Sequence, residues 1–172
     1  MAKDWWKESA KGIPSLKTEV PGPASVALHN SATRNFKGLS GQVKLFPVCF
    51  DQGHGIALTD VDGNRYLDFS SGIYVTSLGH CHPKVSEAVA HWAKRLMNCH
   101  DFTTPVKEKL LEKMVDVLPK GLNCMQFYSD GTSAVEAGIR AARAASGKHE
   151  FVSCFRDFHG KSMAAVSCAQ MV

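Results

Sequence analysis

Three short stretches of this chain carry side chains able to do chemistry. The first is Tyr128-Ser129-Asp130-Gly131-Thr132-Ser133-Ala134, placed between a strand candidate and an Ala-rich helix. The first amides of a helix lack internal partners and carry partial positive charge, so such an end can hold a phosphate. Gly131 leaves room for an anion, and Thr132 and Ser133 add hydroxyl donors. The same residues also read as an ordinary N-cap, with Ser129 or Asp130 satisfying the helix. Asp130 suits an anion site only if it points away. The Gly-Lys-Ser/Thr ending of a nucleotide P-loop is missing.

The second stretch is Asp157-Phe158-His159-Gly160-Lys161, directly after a strand candidate at 151–155. Ligands in open α/β sheets sit beyond the carboxyl ends of parallel strands, which is where this loop falls. Phe158 can stack on a flat ring, and His159 can hydrogen-bond or transfer a proton. The alternative is a phenyl ring folded onto the core beside a solvated histidine. The third stretch is Gly79-His80-Cys81-His82-Pro83. Two histidines around a cysteine are metal-ligand types, but adjacent residues rarely close on one ion and no second cluster lies at a fitting spacing. A turn before a helix beginning at Pro83 is expected, and no metal. Glu136, Arg140 and Arg143 read as a helix-face charge set. Trp5 and Trp6 read as interface packing. Nothing selects one of six thiols for a Cys–His pair.

The elements that must position these residues follow from periodicity. Asp4–Lys11 and Ala24–Phe36 are short helix candidates, separated by Pro21-Gly22-Pro23. Val48–Phe50 reads as a short strand. Gly55–Phe69 reads as a hairpin: Ile56 and Leu58 alternate before Asp62-Gly63, and Arg65, Leu67 and Phe69 alternate after it, with glycine supplying the positive φ of the turn. Residues 83–118 read as helical, with one apolar face of Val85, Val89, Trp92, Ala93 and Leu96 and a second of Val106, Leu110, Met114 and Leu118. Beyond residue 122 the pattern is strand (124–128), helix (132–146, closed by Gly147), strand (151–155) and strand (163–168). Such alternation predicts a parallel α/β sheet. The chain reaches Val172 in or just after a strand, with no polar tail or closing helix, so truncation is expected.

Composition narrows the class. The chain has 172 residues, 44% of them hydrophobic, which excludes a disordered polypeptide. No apolar run reaches the length of a membrane span, and the N-terminus lacks a signal core. The net charge of +4 is spread along the chain, giving no basic patch for nucleic acid. Six scattered cysteines without a CxxC pair fit free thiols in a reducing cytoplasm.

From about residue 46 onward, the ordered set resembles the class III (ω-type) pyridoxal-phosphate aminotransferases, the 4-aminobutyrate, ornithine and acetylornithine group. The matching segments are Leu58–Phe69, Gly79–Pro83, Gly131–Ile139 and Phe158–Lys161. Each is weak alone, but their order and spacing are specific. The resemblance implies the N-terminal part of a fold-type I α/β transferase, with a parallel-sheet large domain and part of a small domain. Residues 1–82 would form the arm and small-domain hairpin segment. Residues 83–172 would form the incomplete start of the large, cofactor-binding domain.

It further implies that pyridoxal 5'-phosphate is held by the Gly131 and Thr132 amides, with Phe158 stacked on its ring, His159 lining the site, and Ile73 lining the substrate pocket. The partners implied are an amino donor and a 2-oxo acid, and a homodimer in the full-length protein. Ser133 stands where a Glu is usual in the family. The Schiff-base lysine matches no lysine here and is expected beyond the given chain, as is the Asp that protonates the ring nitrogen. Same-scaffold alternatives are a dialkylglycine decarboxylase-like and a glutamate-semialdehyde aminomutase-like enzyme. Alternatives of other classes are a catalytically inactive fragment acting through dimer-type contacts and a generic phosphate-binding module. The isolated chain is expected to be poorly stable, aggregation-prone and inactive.

Overall fold

The computed structural model describes residues 4–38 and 41–168. Two units divide the chain, residues 1–99 and 100–172. The first is built on an antiparallel meander of β1 (Phe50–His54), β2 (Ala57–Asp60) and β3 (Arg65–Leu67), in that spatial order. β2 pairs with β3 through Ala57↔Leu67, Leu58↔Tyr66 and Thr59↔Arg65. The Asp62-Gly63 turn forms as the sequence predicts, with Gly63 at φ 83°. The strand expected at 48–50 begins at Phe50 and runs to His54. The candidate helix over Asp4–Lys11 is a run of turns, and Trp5 packs edge-on against His54 and His82 rather than standing free for an interface.

Polar groups organise this unit. Asn64 is fully buried. Its Oδ1 accepts the Lys17 and Thr18 amides, and its Nδ2 donates to Asp60 and to Thr18 Oγ1. Asp60 also accepts from the Tyr66 hydroxyl at 2.7 Å and from the Asp62 and Asn64 amides. Burial pushes Asp60 up, but the Tyr66 and Asn64 bonds outweigh it and hold the carboxyl below its ordinary range. One turn further on, Asp62 accepts the Ala24 and Ser25 amides, each at 2.8 Å. It thereby caps α1 (Pro23–Ala32), whose own N-cap residue Gly22 has no side chain to do so. A Cβ at Gly22 would lie within 2.6 Å of all three carboxyl atoms of Asp62. A short helix, α2 (Gly41–Leu45), precedes the sheet.

After β3, α3 (Ser71–Tyr74) is a single turn wound in the left-handed sense. Its four residues have φ of 47°, 60°, 63° and 64°. Tyr74 and Val75 amides close it onto the Ser70 and Ser71 carbonyls, both at 2.9 Å. Left-handed geometry disfavours side chains with a Cβ, most of all a β-branched one such as Ile73. α4 (Pro83–Ala93) follows, started by the proline at its first position.

The second unit holds α5 (Pro105–Val117), α6 (Gly131–Ser146) and α7 (Met163–Ser167). The Thr104 hydroxyl caps α5 by accepting the Lys107 amide. Gly147, at φ 68°, ends α6. The strands expected over 124–128 and 151–155 are not formed: residues 124–128 and 151–154 lie outside any helix or strand and Phe155 is in a turn, and a strand without a neighbour has nowhere to place its backbone hydrogen bonds. The strand expected over 163–168 is corrected to the helix α7. Ile139 and Ala165 are the buried apolar residues of this unit among those described.

Candidate functional site

The N-terminus of α6 and the loop 157–162 meet. Thr132 Oγ1 lies 2.7 Å from Ser162 Oγ and also accepts the Ser162 amide at 3.4 Å. Gly160 is buried against the same threonine: a Cβ there would fall 2.1 Å from Thr132 Oγ1 and 3.1 Å from its Cα. With φ at 131°, Gly160 takes a backbone shape that disfavours any other residue. The loop that carries Phe158 and His159 is therefore joined to the helix end that carries Gly131 and Thr132.

Asp130 caps α6. Its carboxylate accepts the Ser133 amide and hydroxyl, each at 2.8 Å, and the Ser129 hydroxyl at 3.0 Å. Those bonds, the Ser133 amide first, hold it below its ordinary range. The cap reading of this sequence is thus realised, and Ser133 is spent on Asp130. Gly131 remains open: a Cβ there would meet nothing within 4 Å. Phe158 is 65% exposed, so its ring is uncovered. His159 Nε2 lies 3.5 Å from Asp157 Oδ2, which in turn accepts the Cys154 amide. What remains for a phosphorylated flat ring is the unobstructed side of Gly131, the uncovered Phe158 ring and the loop tied to Thr132, with the Asp130 carboxylate already on the Ser133 amide of the same helix start.

Ile73 belongs to the other unit, in the left-handed turn, with its side chain 70% exposed. Nearby, Val75, Leu78, Val85 and Val89 help line a cavity of about 520 Å³. The three residues His80-Cys81-His82 go separate ways. His80 bonds to Asp68, Cys81 is exposed at φ 55°, and His82 packs on Trp5 with its Nδ1 buried and unpartnered. Among the described residues, no group of three or more His, Cys, Asp or Glu side chains is placed to hold a metal ion. Among the described residues, no helix is long and apolar enough to cross a membrane. The sequence reading missed Glu136, whose carboxylate turns from the helix face towards residues 162–165. Its i,i+4 spacing to Arg140 concealed this.

Residues 39–172 match the family model for class III aminotransferases. The chain belongs to this family. It is 37% identical over 123 residues to an acetylornithine aminotransferase of Methanopyrus kandleri, covering 71% of this chain and 32% of that protein. It is 36% identical over 146 residues to a glutamate-1-semialdehyde 2,1-aminomutase of Legionella pneumophila, covering 85% and 32%. A solved transaminase with PLP bound superposes with a TM-score of 0.75 at 28% identity, covering 88% of this chain and 35% of that one. The fold is accordingly that of a fold-type I α/β transferase, and the chain spans about a third of the length of these relatives.

Proposed function

We propose that this chain supplies the phosphate- and ring-binding part of a pyridoxal-phosphate-dependent transaminase, one that moves an amino group from an amine or ω-amino acid to a 2-oxo acid. The observation that carries the reading is the locking of the 157–162 loop onto the start of α6 through Thr132, Gly160 and Ser162. The Gly131 and Thr132 amides would take the phosphate, Phe158 would lie on the ring, and His159 would line the same site. Ile73 would give the substrate pocket an apolar wall that excludes water. The cofactor, when bound, supplies an electron sink for the carbanion left by proton loss.

Family membership supports residues 1–82 as arm and small-domain segment, residues 83–172 as the start of the cofactor domain, and a cytoplasmic homodimer for the full-length protein. The identity to an aminomutase keeps that reaction as the second reading.

The test is a titration of the chain with pyridoxal 5'-phosphate, pyridoxal and ATP, followed by phosphorus resonance broadening for the two phosphorylated ligands and by calorimetry for all three. Binding of pyridoxal phosphate in preference to the other two is expected. Phe158→Ala should weaken it about 2–10-fold, the worth of one aromatic contact. Equal binding of ATP would instead make the chain a generic phosphate module.

A further inference from the structure

Glu136 sits on the second turn of α6, and its Oε1 is reached by three donors from far along the chain. The Ser162 hydroxyl donates to it at 2.5 Å, the Ala164 amide at 2.9 Å and the Ala165 amide at 3.1 Å. The two amides are among the first of α7, where a helix has unsatisfied donors. The residue at the N-cap of α7, Ser162, makes no side-chain cap bond of its own. Its hydroxyl is turned instead between Glu136 and Thr132. Glu136 therefore replaces the missing cap from a neighbouring helix. The Ser162 hydroxyl and then the Ala165 amide hold its carboxyl below the ordinary range, so it is ionised at neutral pH.

We propose that Glu136 is a positioning residue: by clasping Ser162 and the start of α7, it fixes the loop that presents Phe158 and His159 to the phosphate-binding end of α6. The inference rests on the cofactor reading above, and goes beyond it in naming a residue that touches no ligand. The geometry is specific. Thr132 is one turn before Glu136 on α6, so both meet Ser162 from the same side, and Gly160 permits the loop to close to within contact of Thr132. Cut the Glu136 contact and, among the hydrogen bonds described, the loop is tethered to α6 only through the Thr132 hydroxyl, by its bonds to the Ser162 hydroxyl and amide. Phe158 would then have to be ordered at the moment of binding, which lowers affinity without removing a contact to the ligand.

The test is backbone amide hydrogen exchange of the 172-residue chain at a concentration where light scattering shows it monomeric, with pyridoxal phosphate affinity measured on the same samples. In the parent chain the Ala164 and Ala165 amides should be protected. Glu136→Ala should speed their exchange at least tenfold, leave the amides of Ile139 to Ala142 unchanged, and weaken pyridoxal phosphate at least fivefold. Glu136→Gln keeps a side-chain carbonyl that can accept the same donors, so it should restore most of both. Should Glu136→Ala unfold α6, Ser162→Ala carries the test, with an intermediate loss of both readouts expected. Unprotected Ala164 and Ala165 in the parent, or protection that survives Glu136→Ala, overturns the clasp. A released loop with unchanged affinity overturns the positioning role. A parent chain that protects both amides but ignores pyridoxal phosphate overturns the cofactor reading and leaves the clasp intact.

Discussion

Asp68 Oδ2 accepts a hydrogen bond from His80 Nε2 at 2.6 Å, while its Oδ1 accepts the Ser70 and Ser71 amides at 2.8 and 2.9 Å. One carboxylate thus ties the end of the meander to the Gly79–Pro83 loop and starts the left-handed turn that bears Ile73. The backbone reinforces the tie, since Gly55 and His80 exchange amide and carbonyl bonds at 2.9 and 2.8 Å. Asp68→Ala removes all three acceptor contacts. Hydrogen bonds to charged groups contribute about 1.5–3 kcal/mol each at most, so a loss of about 1–3 kcal/mol in the stability of residues 1–99 is expected. Asp68→Asn should cost less. Urea denaturation followed by circular dichroism checks both; an unchanged midpoint in Asp68→Ala would show that the backbone bridge alone holds the loop.

The acid and alkaline limits of this unit have opposite causes. Burial pushes Asp68 up, but the His80 bond and the Ser71 and Ser70 amides hold it below its ordinary range. A lowered carboxyl contributes stability above its unfolded value and loses it as pH falls through the folded one. Asp60 behaves in the same way. Tyr66 is pushed up from 10.0 to about 12 by burial and by the Asp60 bond. Its contribution is complete below the ordinary phenol range and is lost as pH rises through about 12. Phenolate absorbance should show a late step that Tyr66→Phe abolishes. A titration completed in the ordinary phenol range would contradict the Asp60–Tyr66 bond.

Gly160→Ala should release the 157–162 loop. The new Cβ would meet Thr132 backbone as well as its side chain, with Cα only 3.1 Å away, and φ at 131° is unfavourable for alanine. A strained backbone position costs about 1–3 kcal/mol. Faster exchange of the Ser162 amide and weaker pyridoxal phosphate binding are expected together. Normal exchange with normal binding would show that the close approach is dispensable.

Large apolar side chains stand in water in both units: Phe69 and Leu45 are each 88% exposed, Met163 89% and Val152 fully so. Exposed large apolar side chains on this scale promote association, and backbone at 124–128 outside any ladder adds open hydrogen-bonding groups. The isolated chain should bind a hydrophobic reporter dye and grow in mass with concentration by light scattering. A dye-silent monomer at high concentration would count against this.

Local chemistry made several elements legible. Asp62-Gly63 between alternating apolar residues required a tight turn, Pro83 could begin a helix but not continue one, and Gly147 could end one. Each is decided within a few residues, so sequence suffices. The roles of Asp62 and Glu136 were not legible, because their partners lie 37 residues away at Ser25 and 28 away at Ala164. A carboxylate next to a turn, or four residues before an arginine, looks solvent-facing until distant amides are brought to it. The same holds for the stretches at 124–128, 151–155 and 163–168. Apolar composition marks a segment able to pair, but a strand exists only where a neighbour accepts its hydrogen bonds, and a helix cap supplied from another helix can turn the third of them into α7. Sequence by itself determined the family motifs, the local turns and the Asp130 cap; tertiary structure alone decided that Asp62 and Glu136 cap helices far along the chain, because such capping depends on which backbone amides the fold delivers to them.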